Sequence, residues 1–250
     1  MAPDPAPRSR TPEMTAEKGL PEALCDIEQT MPGFARWLYG TVRRYLGERV
    51  LDAGAGLGTY TDLLLRDGKC VTSIEYDPQF VESLRKRFAG DDRVTVLQGD
   101  LADPEVFAEI QTVDSALCLN VLEHVEDDIR AMRNLNEKVR VGGTLAALVP
   151  AYPRLFNKMD VAVGHHRRYR RDEFEERLET AGWTVERIFR FNAFGIPGWF
   201  VAGSILKRST PGRDLTRLFD TLVPAFSLFE RNLIRGAVGL SLVAVCRRKS

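Results

Sequence analysis

Apolar runs bounded by glycine, proline and acidic residues predict strands over 49–51, 70–74, 94–98, 114–119, 143–150, 183–190 and 240–246. Between them apolar positions recur at helical spacing, which predicts helices over 59–66, 129–139 and 171–181. Gly142-Gly143 and Gly182 stand where the second and third of these would stop. A further helix is predicted over 22–45, where Phe34, Trp37, Leu38 and Tyr45 form an aromatic face that reads as core packing. Tyr39 stands on that helix as a lesser candidate for ligand contact. Strand and helix alternate, which is the signature of an α/β chain built on a parallel sheet.

Two connections exceed what that alternation needs, over 151–170 and 193–236. Loops this long in a compact domain are usually functional. Both leave or adjoin the carboxyl edge of the sheet, where open α/β sheets place their ligands, so both are expected to shape a pocket. The second is apolar, with Phe194, Trp199 and Phe200 early and Leu215, Leu218, Phe219, Leu222 and Phe229 at helical spacing later. Pro224 is expected to break that helix. The stretch reads as a lid, a dimer face or a membrane-surface segment over 194–235, the last because Arg213, Arg217, Arg231 and Arg235 accompany its apolar residues.

Composition narrows the class. The chain has 250 residues, of which 44% are hydrophobic, and its 35 basic and 35 acidic residues balance to zero. That suits one core, hence a single domain over 20–250, preceded by a tail over 1–19 that is expected to be disordered and not a signal peptide. A neutral chain argues against a broad nucleic-acid interface. Cys25, Cys70, Cys118 and Cys246 are scattered without a C-x-x-C pair. The last three fall in predicted strands and are expected to be buried, reduced thiols of a cytoplasmic protein. No apolar stretch is long enough to span a bilayer.

The most informative segment runs from Val50 to Tyr60, where a strand ends in Asp52 and glycines follow at Gly54, Gly56 and Gly58. A sharp strand-to-helix turn needs positive φ and close approach of a ligand to the main chain, and glycine supplies both. The helix that follows turns free N–H groups toward the loop. A dinucleotide fingerprint would place its third glycine one residue later, where this chain has Thr59. At the end of the second predicted strand Glu75 can accept both hydroxyls of a bound ribose.

The pattern D-x-G-x-G-x-G resembles motif I of the class I S-adenosylmethionine-dependent methyltransferases. Three more segments match that family in order: Glu75 after strand two, Asp100-Leu101 after strand three, and Asn120-Val121-Leu122-Glu123-His124-Val125 after strand four. The resemblance covers about residues 35–248. It implies a Rossmann-like seven-stranded sheet, mostly parallel with an antiparallel last strand beside the fifth, helices on both faces and a helical insertion before the last strand. It also implies S-adenosyl-L-methionine as cofactor, held by Asp52, Gly54, Gly56, Gly58, Glu75, Tyr76, Asp100, Leu101 and Asn120. In the family the loop takes the methionine part, and the acid and apolar residue at Asp100 and Leu101 face the adenine.

Methyl transfer to a hydroxyl or a protonated amine profits from a general base, and histidine is the residue best suited. The three histidines fall at His124 and at His165-His166, within a segment that resembles the G-H-Y-R-R-Y signature of a bacterial subgroup, with His166 in place of its tyrosine. His165, His124 and Tyr169 are therefore the candidate catalytic residues, His165 foremost. Glu123, His124 and His165 also resemble part of the metal-ligand set of small-RNA 2′-O-methyltransferases, but Asn120 stands where that set has its first glutamate, so no metal is expected. Arg167, Arg168, Arg170 and Arg171 read as a solvated run pairing with nearby acids, with Arg168 an exception that could grip an anionic acceptor.

The expected function is methylation, at oxygen, of a small and partly apolar molecule in secondary or lipid-related metabolism. Methylation at nitrogen or carbon, and a non-methylating protein of the same fold such as a cyclase, are the alternatives. A nucleic-acid or protein methyltransferase is disfavoured, because Asn120-Val121-Leu122-Glu123 lacks the N/D-P-P-Y/F prolines.

Overall fold

The computed structural model describes residues 29–208 and 212–249. The expected tail over 1–19 and Cys25 lie outside the described residues. The chain enters through α1 (Pro32–Val42) and then alternates through β1 (Arg49–Ala53), α2 (Thr59–Arg66), β2 (Cys70–Glu75), α3 (Pro78–Arg87) and β3 (Val94–Gln98). β4 (Val113–Leu119), α4 (Asp128–Lys138), β5 (Val139–Pro150), α5 (Lys158–Ala162), α6 (Arg171–Thr180) and β6 (Trp183–Phe191) follow. α7 (Gly195–Trp199), α8 (Arg213–Phe229) and β7 (Ser241–Arg248) complete the set.

The strands form one seven-stranded sheet in the order β3-β2-β1-β4-β5-β7-β6. β1 to β5 pair in parallel, while β7 runs antiparallel to both β5 and β6. Chain order reverses between β1 and β4, so the crevice beyond their carboxyl ends is the switch point at which such sheets bind ligands. Successive residues of one strand serve opposite faces. Leu51, Cys118 and Ala147 pack with Met132, Leu135 and Phe174 from α4 and α6, whereas their neighbours Val50, Leu117 and Ala146 pack with Leu38, Val42 and Leu64 from α1 and α2. Burial on both faces is why the central strands read as continuous apolar runs.

Three expectations are corrected. Gly142-Gly143 does not stop a helix: α4 passes directly into a long β5. The glycines lie in a bulge, where pairing jumps from Val139 opposite Val113 to Thr144 opposite Ser115. Gly142 has φ +76°, and a Cβ on Gly143 would stand 2.5 Å from the Asp114 carbonyl oxygen. Pro224 does not break α8, which runs unbroken for 17 residues. Pro224 itself is exposed, so its ring fits on the outer side of the helix without displacing core side chains. Cys70, at the start of β2, is exposed; Cys118 and Cys246 are buried as expected.

The described residues of the insertion over 193–236 fold mostly as helices, and α8 closes against α1. Asp220 of α8 caps the first turn of α1, accepting from Gly33 N at 3.0 Å and Phe34 N at 2.7 Å. Those N–H groups have no partner within their own helix, so the carboxylate meets the positive end of the helix dipole. Phe194 stacks on Phe226 with ring centroids 4.2 Å apart, and Phe34 meets both Phe191 and Phe219. Among the described residues no helix is long and apolar enough to cross a membrane.

Candidate active site

The glycine loop, which leaves β1, is tied to β2 through its own backbone. Gly54 N and Ala55 N both donate to the Ile74 carbonyl, at 2.9 and 3.0 Å, which folds the chain back over β2. Gly54, Gly56 and Gly58 all adopt positive φ. A Cβ on Gly54 would lie 2.4 Å from Val121, so the loop can approach β4 only without a side chain there. Gly58 is the left-handed N-cap of α2, where a Cβ would strike Leu84 at 2.7 Å.

Glu75 ends β2 with its carboxylate clamped by three backbone donors: Gly56 N at 2.8 Å to one oxygen, Tyr76 N and Asp77 N at 2.9 Å to the other. Burial raises its pKa above the ordinary value, and those three N–H groups offset part of the rise. The clamp fixes the orientation of the oxygens and leaves lone pairs for a ligand. Asp100 uses one oxygen to accept from Ala102 N at 2.8 Å, while Asn120 turns out of β4 with φ 56°.

Gly54, Gly56, Glu75, Tyr76, Asp100, Leu101 and Asn120 all line one cavity of about 870 Å³, as do His124 and His165. Its wall on the side of the insertion carries Phe194, Trp199, Leu215 and Phe219. Volume, apolar walls and a few fixed polar groups fit a nucleoside together with a small acceptor. The side-chain-free loop and the fixed Glu75 carboxylate suit S-adenosylmethionine. Gly54 and Gly56 would meet its amino-acid part, Glu75 its ribose, and Asp100 and Leu101 its adenine.

The insertion over 151–170 assembles the second half of the site. Asn157 and Asp160 form a capping box that starts α5. Asp160 is fully buried and also accepts from His165 Nδ1 at 2.8 Å and from Arg168 Nε at 2.7 Å. Burial pushes its pKa up, but the His165 hydrogen bond, the Arg168 charge and Asn157 N outweigh burial and hold the carboxyl below its usual range. An ionised acceptor obliges His165 Nδ1 to carry a proton, which leaves Nε2 as the basic nitrogen of the neutral ring.

His124 is arranged the same way. Its Nδ1 lies 3.2 Å from the Gly164 carbonyl, which can only accept, so Nε2 again bears the lone pair. Burial and the neighbouring His165 push its pKa down to about 4, and the two rings meet edge to face with centroids 4.8 Å apart. Behind them Glu123 is fully buried, with Oε1 3.7 Å from His165 Nε2. Neither of its oxygens meets a hydrogen-bond partner among the described residues, and burial pushes its pKa up to about 7. Donor atoms of Glu123, His124 and His165 lie within 4.8 Å of one another, a convergence of strand-four and insertion residues that linear spacing does not reveal.

Other candidates occupy different places. Tyr169 does not line the cavity: it is fully buried, donates to Asp128 Oδ2 at 2.7 Å and lies 3.1 Å from the Leu122 carbonyl. Burial and Asp128 push its pKa upward, so it serves as a neutral tie between α4 and the segment after α5. Asp52 sits beneath the loop and accepts from Thr61 at 2.6 Å, and Gly58 lies at the helix cap; neither reaches the cavity wall. Tyr39 donates to Asp67 in the opposite core cluster. Arg168 does line the cavity, but its guanidinium is committed to Asp160, to the Ala151 carbonyl and to the Trp199 ring 4.7 Å away. Sequence reading passed over Asp160 as an orienting partner. The N-x-x-D capping pattern from Asn157 to Asp160 was the available signal.

A glycine loop at the switch point of a parallel sheet, with a carboxylate closing the second strand, defines a Rossmann-like nucleoside-binding domain. The model of a methyltransferase domain matches residues 51–147. A probable S-adenosylmethionine-dependent methyltransferase of Mycolicibacterium smegmatis is 30% identical over 183 residues, spanning 68% of this chain and 69% of that protein. The mitochondrial ubiquinone biosynthesis O-methyltransferase of Schizosaccharomyces pombe is 24% identical over 161 residues, 58% of each chain. Among solved structures, a Haloferax volcanii methyltransferase complexed with its Trm112 activator superposes with TM-score 0.60 at 17% identity, covering 92% of this chain and 98% of that one, a likeness of fold. The chain belongs to the class I S-adenosylmethionine-dependent methyltransferases, and S-adenosylmethionine is its cofactor.

Proposed function

We propose that the protein methylates a hydroxyl of a small, partly apolar acceptor, with His165 as general base. When bound, the cofactor supplies an electrophilic methyl carbon on a sulfonium. The protein's part is to hold the acceptor oxygen in line and to remove its proton. His165 Nε2 accepts that proton, and Asp160 stabilises the imidazolium that results. His124, kept neutral by burial, can accept a hydrogen bond from the acceptor beside it. Phe194, Trp199 and Phe219 give the acceptor an apolar wall and keep water from the reacting atoms.

The observation that carries this reading is His165 on the wall of the cofactor cavity with its Nδ1 fixed by a buried, ionised Asp160. The test is transfer of a labelled methyl group from S-adenosylmethionine to hydroxylated aromatics and to lipid extracts. A labelled methyl ether is expected. A labelled amine or carbon product, or cofactor binding with no transfer to any acceptor, would overturn the proposal.

A further inference from the structure

We propose that the outer face of α8 seats the protein on an anionic lipid bilayer. The inner face of α8 is accounted for: Thr216 and Phe219 line the cavity, and Asp220 caps α1. Outside, Leu215, Leu218, Leu222 and Phe229 fall on one stripe at helical spacing, with Leu218 57% and Phe229 48% exposed. At 1.5 Å per residue that helix is about 25 Å long, too short and too charged to span a membrane but suited to lie in its interface.

Charge selects the occupant. Over 213–235 the exposed charged residues are Arg213, Arg217, Arg231, Arg235 and a single acid, Asp214. The other two acids face inward, Asp220 on the first turn of α1 and Glu230 on the backbone N–H groups of Asn192 and Ala193. Internal capping thus removes negative charge from the outer face and leaves arginines beside an apolar stripe. Two copies of this face would set like charges against each other, whereas anionic headgroups complement them. Leu215 both belongs to the stripe and lines the cavity, so the docking face is continuous with the cavity rim.

The experiment is co-sedimentation of the full chain with phosphatidylcholine vesicles, with and without phosphatidylglycerol. Binding is expected to the anionic vesicles only and to weaken as salt rises. Leu218→Glu with Leu222→Glu should reduce it at least about tenfold, and Arg217→Glu several-fold, with cofactor affinity by calorimetry unchanged because none of these side chains lines the cavity. Absence of binding to anionic vesicles, or variants that sediment like the parent, would overturn the proposal. So would a wild-type dimer that ignores vesicles and that the leucine variants dissociate, since the face would then join two copies.

Discussion

His165 and Asp160 share a 2.8 Å hydrogen bond in which the imidazole Nδ1 donates, although both belong to an insertion with no counterpart in the minimal fold. The bond occupies Nδ1 and leaves Nε2 as the nitrogen that can take a proton. His165→Gln removes the base and keeps a polar side chain, so turnover should fall by about 10² to 10⁴. Cofactor affinity by calorimetry should be unchanged. Undiminished turnover would remove His165 from the reaction.

Glu75 tests the other half of the cavity. Glu75→Ala removes a carboxylate whose orientation three N–H groups enforce. The loss should be about 1.5–3 kcal/mol of cofactor binding, roughly 10- to 150-fold in Kd. Titration calorimetry reads it directly, and an unchanged Kd would take the ribose from Glu75.

Tyr169 separates a structural from a chemical hydroxyl. Tyr169→Phe leaves Asp128 with its Arg177 and Arg167 partners but without the phenol. Denaturant unfolding should show a loss of about 1–3 kcal/mol, while turnover per folded molecule stays at the parent level. A large drop in turnover without a drop in stability would restore a catalytic role.

Stability should vary with pH through Glu123. Its carboxyl is pushed up to about 7 in the fold from an ordinary 4.5, so the folded chain keeps a proton that the unfolded chain releases between those values. Stability from this group is therefore full below about pH 4.5 and lost as pH rises through 7. Glu123→Gln should be more stable than the parent above pH 7, by on the order of a few kcal/mol, and so melt higher there, and converge with it at acid pH. His124, lowered to about 4, weakens the fold as pH falls from 6.5 toward 4, but it does so in both proteins and cancels in the comparison. Identical melting profiles would mean that Glu123 is not the buried acid it is taken to be.

A chelator distinguishes proton transfer from metal assistance. If His165 alone removes the proton, dialysis against a chelator should leave turnover unchanged. Turnover lost on chelation and restored by a divalent cation would recast Glu123, His124 and His165 as ligands.

That Gly54, Gly56, Glu75 and Asp100 meet at one cavity was legible in the sequence because each placement is local. Gly54, Gly56, Glu75 and Asp100 each sit at a strand end, where hydrophobic periodicity and one turn rule fix their place. The histidine half was legible only in part: His124 and His165 were singled out and grouped with Glu123 through a resemblance, but Asp160 was not. Asp160, Glu123 and His165 come together only because β4 and the insertion after β5 meet across the switch point. Tyr169 read as chemical since it adjoins His165 and Arg168, yet its side chain points into the core. Helix ends were misjudged where a glycine had two uses: Gly142 punctuates a strand bulge, and the turn it suggested is absent.

The insertion that carries the apolar wall leaves and returns at neighbouring points. Phe191 stands opposite Ser241 in the β6–β7 register, and Leu240 N donates to the Asn192 carbonyl at 3.0 Å. Its two ends are thus closed by the sheet itself, as in an oversized hairpin. Such a segment is a cassette. Exchange of residues between Asn192 and Leu240 among related enzymes would replace the apolar cavity wall and the exposed face of α8 without touching the strands that carry the glycine loop.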